Sequence, residues 1–118
     1  MKIAILSNGS GNYSTKRLKE EAENRGHEVE IIAYKKCYVS IDEKNPKVMY
    51  KGEEIDRFDV FIPRIAANMT EYGTSVVRQL ETAYPRAFFM NRSIAITRAR
   101  DKLRSTQIMA KYSVAIPK

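Results

Sequence analysis

The four consecutive apolar residues Ile3-Ala4-Ile5-Leu6, with the polar loop and amphipathic segment after them, limit the fold of this chain more than any other feature. Lys2–Leu6 reads as a short strand of the kind buried on both faces. The Gly-, Ser- and Asn-rich stretch Ser7–Tyr13 ends it as a loop. Ser14 is expected to cap a helix by accepting a backbone N–H, and the helix carries Leu18 and Ala22 on one face. Gly26 suits the left-handed residue that closes such a helix. Val29–Ala33 is then a second strand. Strand, helix and strand with short joints make a βαβ unit, with parallel strands and a right-handed crossover.

Downstream the pattern changes. Cys37–Ile41 and Lys47–Lys51 read as strands around the polar segment Asp42–Pro46, an inserted β-hairpin, because a structureless loop of that length is uncommon in a compact domain. Asp59–Ile62 resumes the main sheet and Pro63 closes it. Thr70 is expected to cap a helix in which Gly73, Val76, Val77, Leu80 and Tyr84 recur at helical spacing. Ala87–Met90 is a further buried-type strand after the break at Pro85. Asn91 or Ser93 caps a short helix, and Asp101 begins a last one with Leu103, Thr106 and Ala110 along one side. Strands alternating with helices imply an α/β fold in three layers, around a mainly parallel sheet of about four strands flanked by helices. Ligands of such sheets sit beyond the carboxyl ends of the strands. Those ends are Ser7–Tyr13, Pro63–Met69 and Asn91–Ser93, which puts Arg64 where a guanidinium can meet a carboxylate or phosphate.

Composition excludes several classes. A chain of 118 residues is one domain. With 43% hydrophobic and 30% charged residues it is expected to fold rather than stay disordered. No apolar run approaches the roughly 18 residues of a membrane span, and Ser7-Asn8-Gly9 ends the first apolar stretch too early for a signal peptide. The single cysteine, Cys37, excludes an internal disulfide framework and fits a reducing, cytoplasmic setting. Cys37 and the single histidine, His27, cannot make a zinc site, and both read as structural or solvent-facing. No nucleophile–base pair and no acidic run resembling a magnesium site is present, so neither a catalytic residue nor a metal ligand is assigned.

Charge is the sharper signal. The formal +7 is confined to the C-terminal part. Residues 1–85 carry 13 Lys+Arg against 13 Asp+Glu, and residues 86–118 carry 8 against Asp101 alone. A field so confined attracts an anion, a phosphate-rich ligand or an acidic partner. On one continuous helix Arg98 and Lys102 share a face, as do Arg100 and Arg104, so a negative group is expected nearby. A solvated face and a nucleic-acid patch are the alternatives, although aromatic residues are not interleaved as stacking would need. Gly9-x-Gly11-x-x-Ser14 is a partial dinucleotide fingerprint without the final small residue and without the Gly-Lys-Ser/Thr of a P-loop. It reads as a flexible joint or a substrate contact ahead of a nicotinamide site. Arg64 is either an anion clamp or the partner of Glu71 or Glu81. The extended Ile116-Pro117-Lys118 is expected to be a cut within a larger protein.

An ordered set of short segments carries a resemblance: Lys2-Ile3-Ala4-Ile5-Leu6-Ser7, Tyr13-Ser14-Thr15-Lys16-Arg17-Leu18, Arg25-Gly26-His27, Tyr50-Lys51-Gly52, Ile62-Pro63-Arg64-Ile65, Tyr72-Gly73-Thr74 and Ala99-Arg100-Asp101-Lys102-Leu103-Arg104-Ser105. In this order the chain resembles the N-terminal, pre-ATP-grasp domain of the RimK family, ATP-grasp ligases that add glutamate to the C-terminus of a small-subunit ribosomal protein. It departs from the family's acidic-Gly pattern at Ser10-Gly11-Asn12. The resemblance implies a Rossmann-like domain over 1–97 and a connector helix over 98–118, leading into an ATP-grasp domain absent from this chain. That absent domain would hold ATP, magnesium and the catalytic groups, so the fragment alone is expected to be non-catalytic. The family's reaction makes an acyl-phosphate that an amine then attacks. By match of Asp101-Lys102, Lys102 is the implied ATP-phosphate contact. Arg64, with Ser7 and Ser14 of the first loop, is a candidate for binding the substrate, glutamate or an acidic protein C-terminus. An apolar patch near the last helix, where the missing domain docks or copies self-associate as a homo-oligomer, is expected. Two rivals stay open: a free-standing RNA- or ribosome-binding module, and a ligase that glutamylates a folate-like or flavin-like cofactor.

Overall fold

Strand β1 (Lys2–Ser7) is buried from Ile3 to Ser7, and the domain is arranged around it. It lies between two parallel neighbours, β2 (Glu28–Ala33) and β6 (Val60–Pro63), with Ile5 opposite Ile31 on one side and Ile62 on the other. Strand β7 (Phe88–Phe89) extends β6 in parallel, giving the four-stranded order β2-β1-β6-β7. The parallel, helix-flanked α/β sheet expected from the sequence is therefore present. The computed structural model describes residues 1–9, 11–41 and 44–116.

Successive side chains of a strand leave by opposite faces. Ala4 and Leu6 join the main core with Phe61, Phe89 and the buried side of helix α2 (Thr70–Ala83), contributed by Val76, Val77 and Leu80. The Phe61 ring stacks on Phe89 at 5.0 Å and meets Phe58 edge-on at 5.6 Å. Helix α1 (Tyr13–Asn24) packs beside β1 and β2 and buries only Thr15. Gly26 comes after it at φ 87°, the left-handed closure the sequence implies.

The inserted segment is a hairpin of β3 (Cys37–Ser40) against β4 (Lys47–Tyr50), as expected, but it carries a third strand, β5 (Glu53–Glu54). Lys51 and Gly52, at φ 53° and 79°, supply the paired positive φ that a two-residue hairpin loop with the sheet's own twist requires. Tyr34, Cys37, Val48 and Ile55 enter the same core as Leu6 and Leu80, so the two sheets share one interior. Tyr72 donates its hydroxyl proton to the Cys37 carbonyl, and Gln79 Nε2 donates to the Ser40 carbonyl at 3.3 Å, tying the hairpin to α2. Asp42 and Glu43 of the expected turn, and Pro117 and Lys118 of the expected cut, lie outside the described residues.

Three caps differ from expectation. Asn12 caps α1 instead of Ser14, its Oδ1 accepting the Ser14 N–H at 3.1 Å, because the backbone turns helical at Tyr13 and Asn is as good a cap as Ser. Thr70 is already helical, at φ −57° and ψ −47°, because a 3₁₀ turn over Ala67–Met69 leads into α2; its hydroxyl donates to the Ala67 carbonyl at 2.8 Å. Helix α3 (Ser93–Arg100) has Arg92 at the capping position, while the Ser93 side chain is drawn to the Glu81 carboxylate. The fourth expectation holds: Asp101 caps α4 (Lys102–Lys111), accepting the Arg104 N–H at 3.0 Å. Its extended backbone, φ −85° and ψ 103°, splits the basic run, leaving Arg98 and Arg100 on α3 with Lys102 and Arg104 on α4. The shared helical faces expected for these residues therefore do not form. Among the described residues no helix is long and apolar enough to cross a membrane.

Gly73 is where α2 comes closest to the loop after β6, and a Cβ there would collide with the buried Ile65 side chain. Overpacking of about 2 kcal/mol outweighs a helix-propensity gain of about 1 kcal/mol. Gly73→Ala is expected to lower the free energy of urea unfolding by about 1 kcal/mol. Unchanged or increased stability would mean that Ile65 yields without cost.

Candidate functional site

The sheet order makes β1 the place where the chain reverses direction across the sheet. From β1 it passes outward to β2, and it returns on the other side as β6. A crevice opens at the carboxyl ends of strands that diverge in this way. Here it is a cleft of about 340 Å³ between the loop after β1 and the loop after β6. Ser7, Asn8, Asn12 and Thr15 line one side; Pro63–Ala66 and Arg100 line the other.

The β1–β6 ladder continues one step beyond the strand, the Arg64 N–H donating to the Leu6 carbonyl at 2.7 Å. The Arg64 side chain therefore leaves from the rim, and its Nη2 donates to Ser14 Oγ at 2.9 Å. Ser14 Oγ donates in turn to Asn12 Oδ1 at 2.9 Å. A guanidinium is thus held across the first turn of α1, whose backbone N–H groups and dipole already favour an anion. On the same side of the cleft, Arg100 Nη2 donates to the Ile65 carbonyl at 2.5 Å and Nη1 to Thr70 Oγ1 at 3.2 Å. The Ala66 N–H donates to the hydroxyl of the buried Tyr34 at 2.9 Å. Among the described residues Arg64 and Arg100 line the cleft and no carboxylate does, so it suits a carboxylate or phosphate and not a cation. Among the described residues no group of three or more His, Cys, Asp and Glu is placed to hold a metal ion.

The structure brings three of the four candidate residues together. Arg64 meets Ser14, and Ser7 lines the same cleft. The Ser7 hydroxyl is buried and bonded to Thr15 Oγ1 at 2.9 Å and to the Gly9 carbonyl at 3.2 Å, which ties the first loop to α1. Lys102 stands exposed at the start of α4, outside the lining. Neither acidic partner considered for Arg64 takes it: Glu81 is met by Arg92 at 3.7 Å and by Ser93. Asn12 and Arg100 are the cleft residues whose roles sequence reasoning missed. Asn12 was legible as an Asn two residues before Ser14, whereas the reach of Arg100 depends on how α3 packs on α2.

The chain matches the family model of the RimK PreATP-grasp domain over residues 1–96. A probable alpha-L-glutamate ligase of Vibrio vulnificus is 50% identical over 118 residues, covering all of this chain and 38% of the relative. One from Teredinibacter turnerae is 53% identical with the same coverage. The chain thus spans well under half the length of these curated relatives. Among solved structures, the macrocyclase MdnB from Microcystis aeruginosa aligns with TM-score 0.69 and 14% identity, over 99% of this chain and 51% of that one. The RimK domain ATP-grasp protein from Sphaerobacter thermophilus aligns with TM-score 0.65 and 15% identity, over 100% and 40%. At such identities these two share the fold.

Burial pushes the Cys37 thiol up from 9.0 to about 11, which leaves it protonated near neutral pH and unfit as a nucleophile. Its alkylation in the folded chain is expected to stay slow until the pH nears 11, against an ordinary thiol that reacts from about 8.5. Because the folded state holds this proton more tightly, its contribution to stability is full below the unfolded value and is lost as pH rises toward about 11. Fast alkylation at pH 8 without unfolding would contradict the burial.

Proposed function

The chain belongs to the RimK PreATP-grasp domain family, and on that premise we propose that it is the N-terminal part of an ATP-dependent alpha-L-glutamate ligase. Its role is to form one wall of the substrate cleft. One observation supports this above the rest: Arg64, fixed by Ser14 over the first turn of α1, faces a cleft that holds Arg100 and, among the described residues, no acid. Joining a carboxylate to an amine through an acyl-phosphate puts negative charge on the activated group. A guanidinium already in place stabilises that charge without rearranging.

The chain's own residues bind and orient. Arg64 and the α1 N-terminus hold the carboxylate of glutamate, or of the acidic C-terminus of a small-subunit ribosomal protein. ATP supplies the phosphoryl group that activates the carboxylate. Among the described residues no carboxylate lines the cleft, and on this reading the magnesium ligands belong to the ATP-grasp domain of such a ligase. Residues 98–118 act as the connector to an ATP-grasp domain. Helix α4 buries none of its residues, and Leu103 on it and Tyr112 just after it are exposed, which is the surface such a domain would cover. From the start of α4, Lys102 reaches the ATP phosphates across that junction. A cytoplasmic ligase fits the buried, reduced Cys37.

The test is ATP-dependent glutamate incorporation by the full-length gene product. Arg64→Ala is expected to lower kcat/KM for the carboxylate substrate by about 100-fold while the KM for ATP stays within about twofold. Lys102→Ala is expected to do the reverse, raising the KM for ATP. Wild-type values in Arg64→Ala would remove the cleft from the reaction, and an unchanged ATP KM in Lys102→Ala would remove the phosphate contact.

A further inference from the structure

Arg100 closes α3 and its residue is exposed, yet its guanidinium turns back onto the loop after β6. It places one donor on the Ile65 carbonyl at 2.5 Å and another on Thr70 Oγ1 at 3.2 Å. Ile65 directly follows Arg64, and the next N–H, from Ala66, is held by the buried Tyr34 hydroxyl at 2.9 Å. On the other side of Arg64, its own N–H is fixed to Leu6 at 2.7 Å. The backbone on both sides of Arg64 is therefore anchored, and only one of those anchors is a charged side chain from another part of the chain.

We infer that Arg100 is a positioning residue: by holding the Ile65 carbonyl it sets the direction in which Arg64 projects into the cleft. Hydrogen bonds from a charged donor are stronger than neutral ones, and a planar fork can serve two acceptors at once. A lysine keeps the charge but donates from one nitrogen and lacks the planar fork that reaches Ile65 and Thr70 from two. Charge and positioning are therefore separable by one substitution. Arg100 also immediately precedes Asp101, whose extended backbone separates α3 from α4, so the same side chain ties the rim of the cleft to that junction. This assignment rests on the reading of the cleft as an anion site.

The experiment uses the 118-residue chain with ¹⁵N-labelled arginine, and inorganic phosphate as the probe at fixed ionic strength. In Arg100→Lys the Arg64 Nε–H resonance is expected to broaden and the phosphate Kd to rise about tenfold, with the thermal midpoint unmoved. Thr70→Val, which removes one acceptor of Arg100 together with the Thr70–Ala67 hydrogen bond and keeps both charges, is expected to shift both readouts in the same direction by less. If neither variant changes the Arg64 resonance, the positioning role is overturned and Arg100 contributes charge alone. The underlying reading fails separately. A wild-type chain that binds no phosphate, or an Arg64→Ala chain that binds it as well as wild type, sinks the anion site, while the Arg64 resonance still decides the role of Arg100.

Discussion

The hydrogen bond from the Arg64 N–H to the Leu6 carbonyl, at 2.7 Å, is the last rung of the β1–β6 ladder, and the functional end of the molecule is set by it. β1 is buried from Ile3 to Ser7 and held by parallel partners on both sides, so its register has no freedom to slip. The segments leaving Leu6 and Pro63 must emerge at one edge of that rigid unit. The loop after β1 runs into the capped N-terminus of α1, and the loop after β6 starts with Arg64. An electropositive helix end and the start of the Arg64 side chain are thereby brought side by side, and the bond to Ser14 holds the guanidinium there.

Holding positive groups close together is unfavourable unless something negative or polar is near. The domain does this with dipoles and leaves carboxylates out of the cleft. Ser14 and Asn12 accept the guanidinium of Arg64 in relay, and the Ile65 carbonyl with Thr70 accepts that of Arg100. Neutral acceptors orient the cations without cancelling their charge, which stays available to an incoming anion. Elsewhere several charges are paired in the ordinary way. Arg17–Glu20, Lys19–Glu23 and Arg25–Glu21 run along α1, and Lys2 meets Asp56, whose proximity holds the Lys2 ammonium above its usual range. Exposed pairs of this kind contribute little to stability.

Much of the architecture was legible because it arises from local pattern. The apolar run Ile3–Leu6, the closing Gly26, and the spacing of Gly73, Val76, Val77 and Leu80 each specify an element without reference to the rest of the chain. Pro63-Arg64 placed the key arginine at a strand end correctly, since the strand's direction decides it. The misplaced caps at Ser14, Thr70 and Asn91 or Ser93 are one- or two-residue errors: Asn12 caps as well as Ser14 would, while Met69 and Arg92 hold the other two positions without a side-chain cap bond. Strand β5 was missed because two acidic residues carry no strand pattern; its cue was the Lys51-Gly52 turn. The basic run misled more seriously. Read as one helix, it paired Arg98 with Lys102 and Arg100 with Arg104, whereas Asp101 caps a new helix and separates them. Arg100 reaches the cleft through the packing of α3 on α2, a long-range contact that no local spacing encodes.

The central claim is that an anion belongs between Arg64, Arg100 and the first turn of α1. Crystals of the chain soaked with selenate and examined for anomalous scattering test it directly. Anomalous density within hydrogen-bond reach of the Arg64 guanidinium, at the carboxyl ends of β1 and β6, is the expected result. Density confined to Arg98, Lys102 and Arg104, with none in the cleft, would contradict the account.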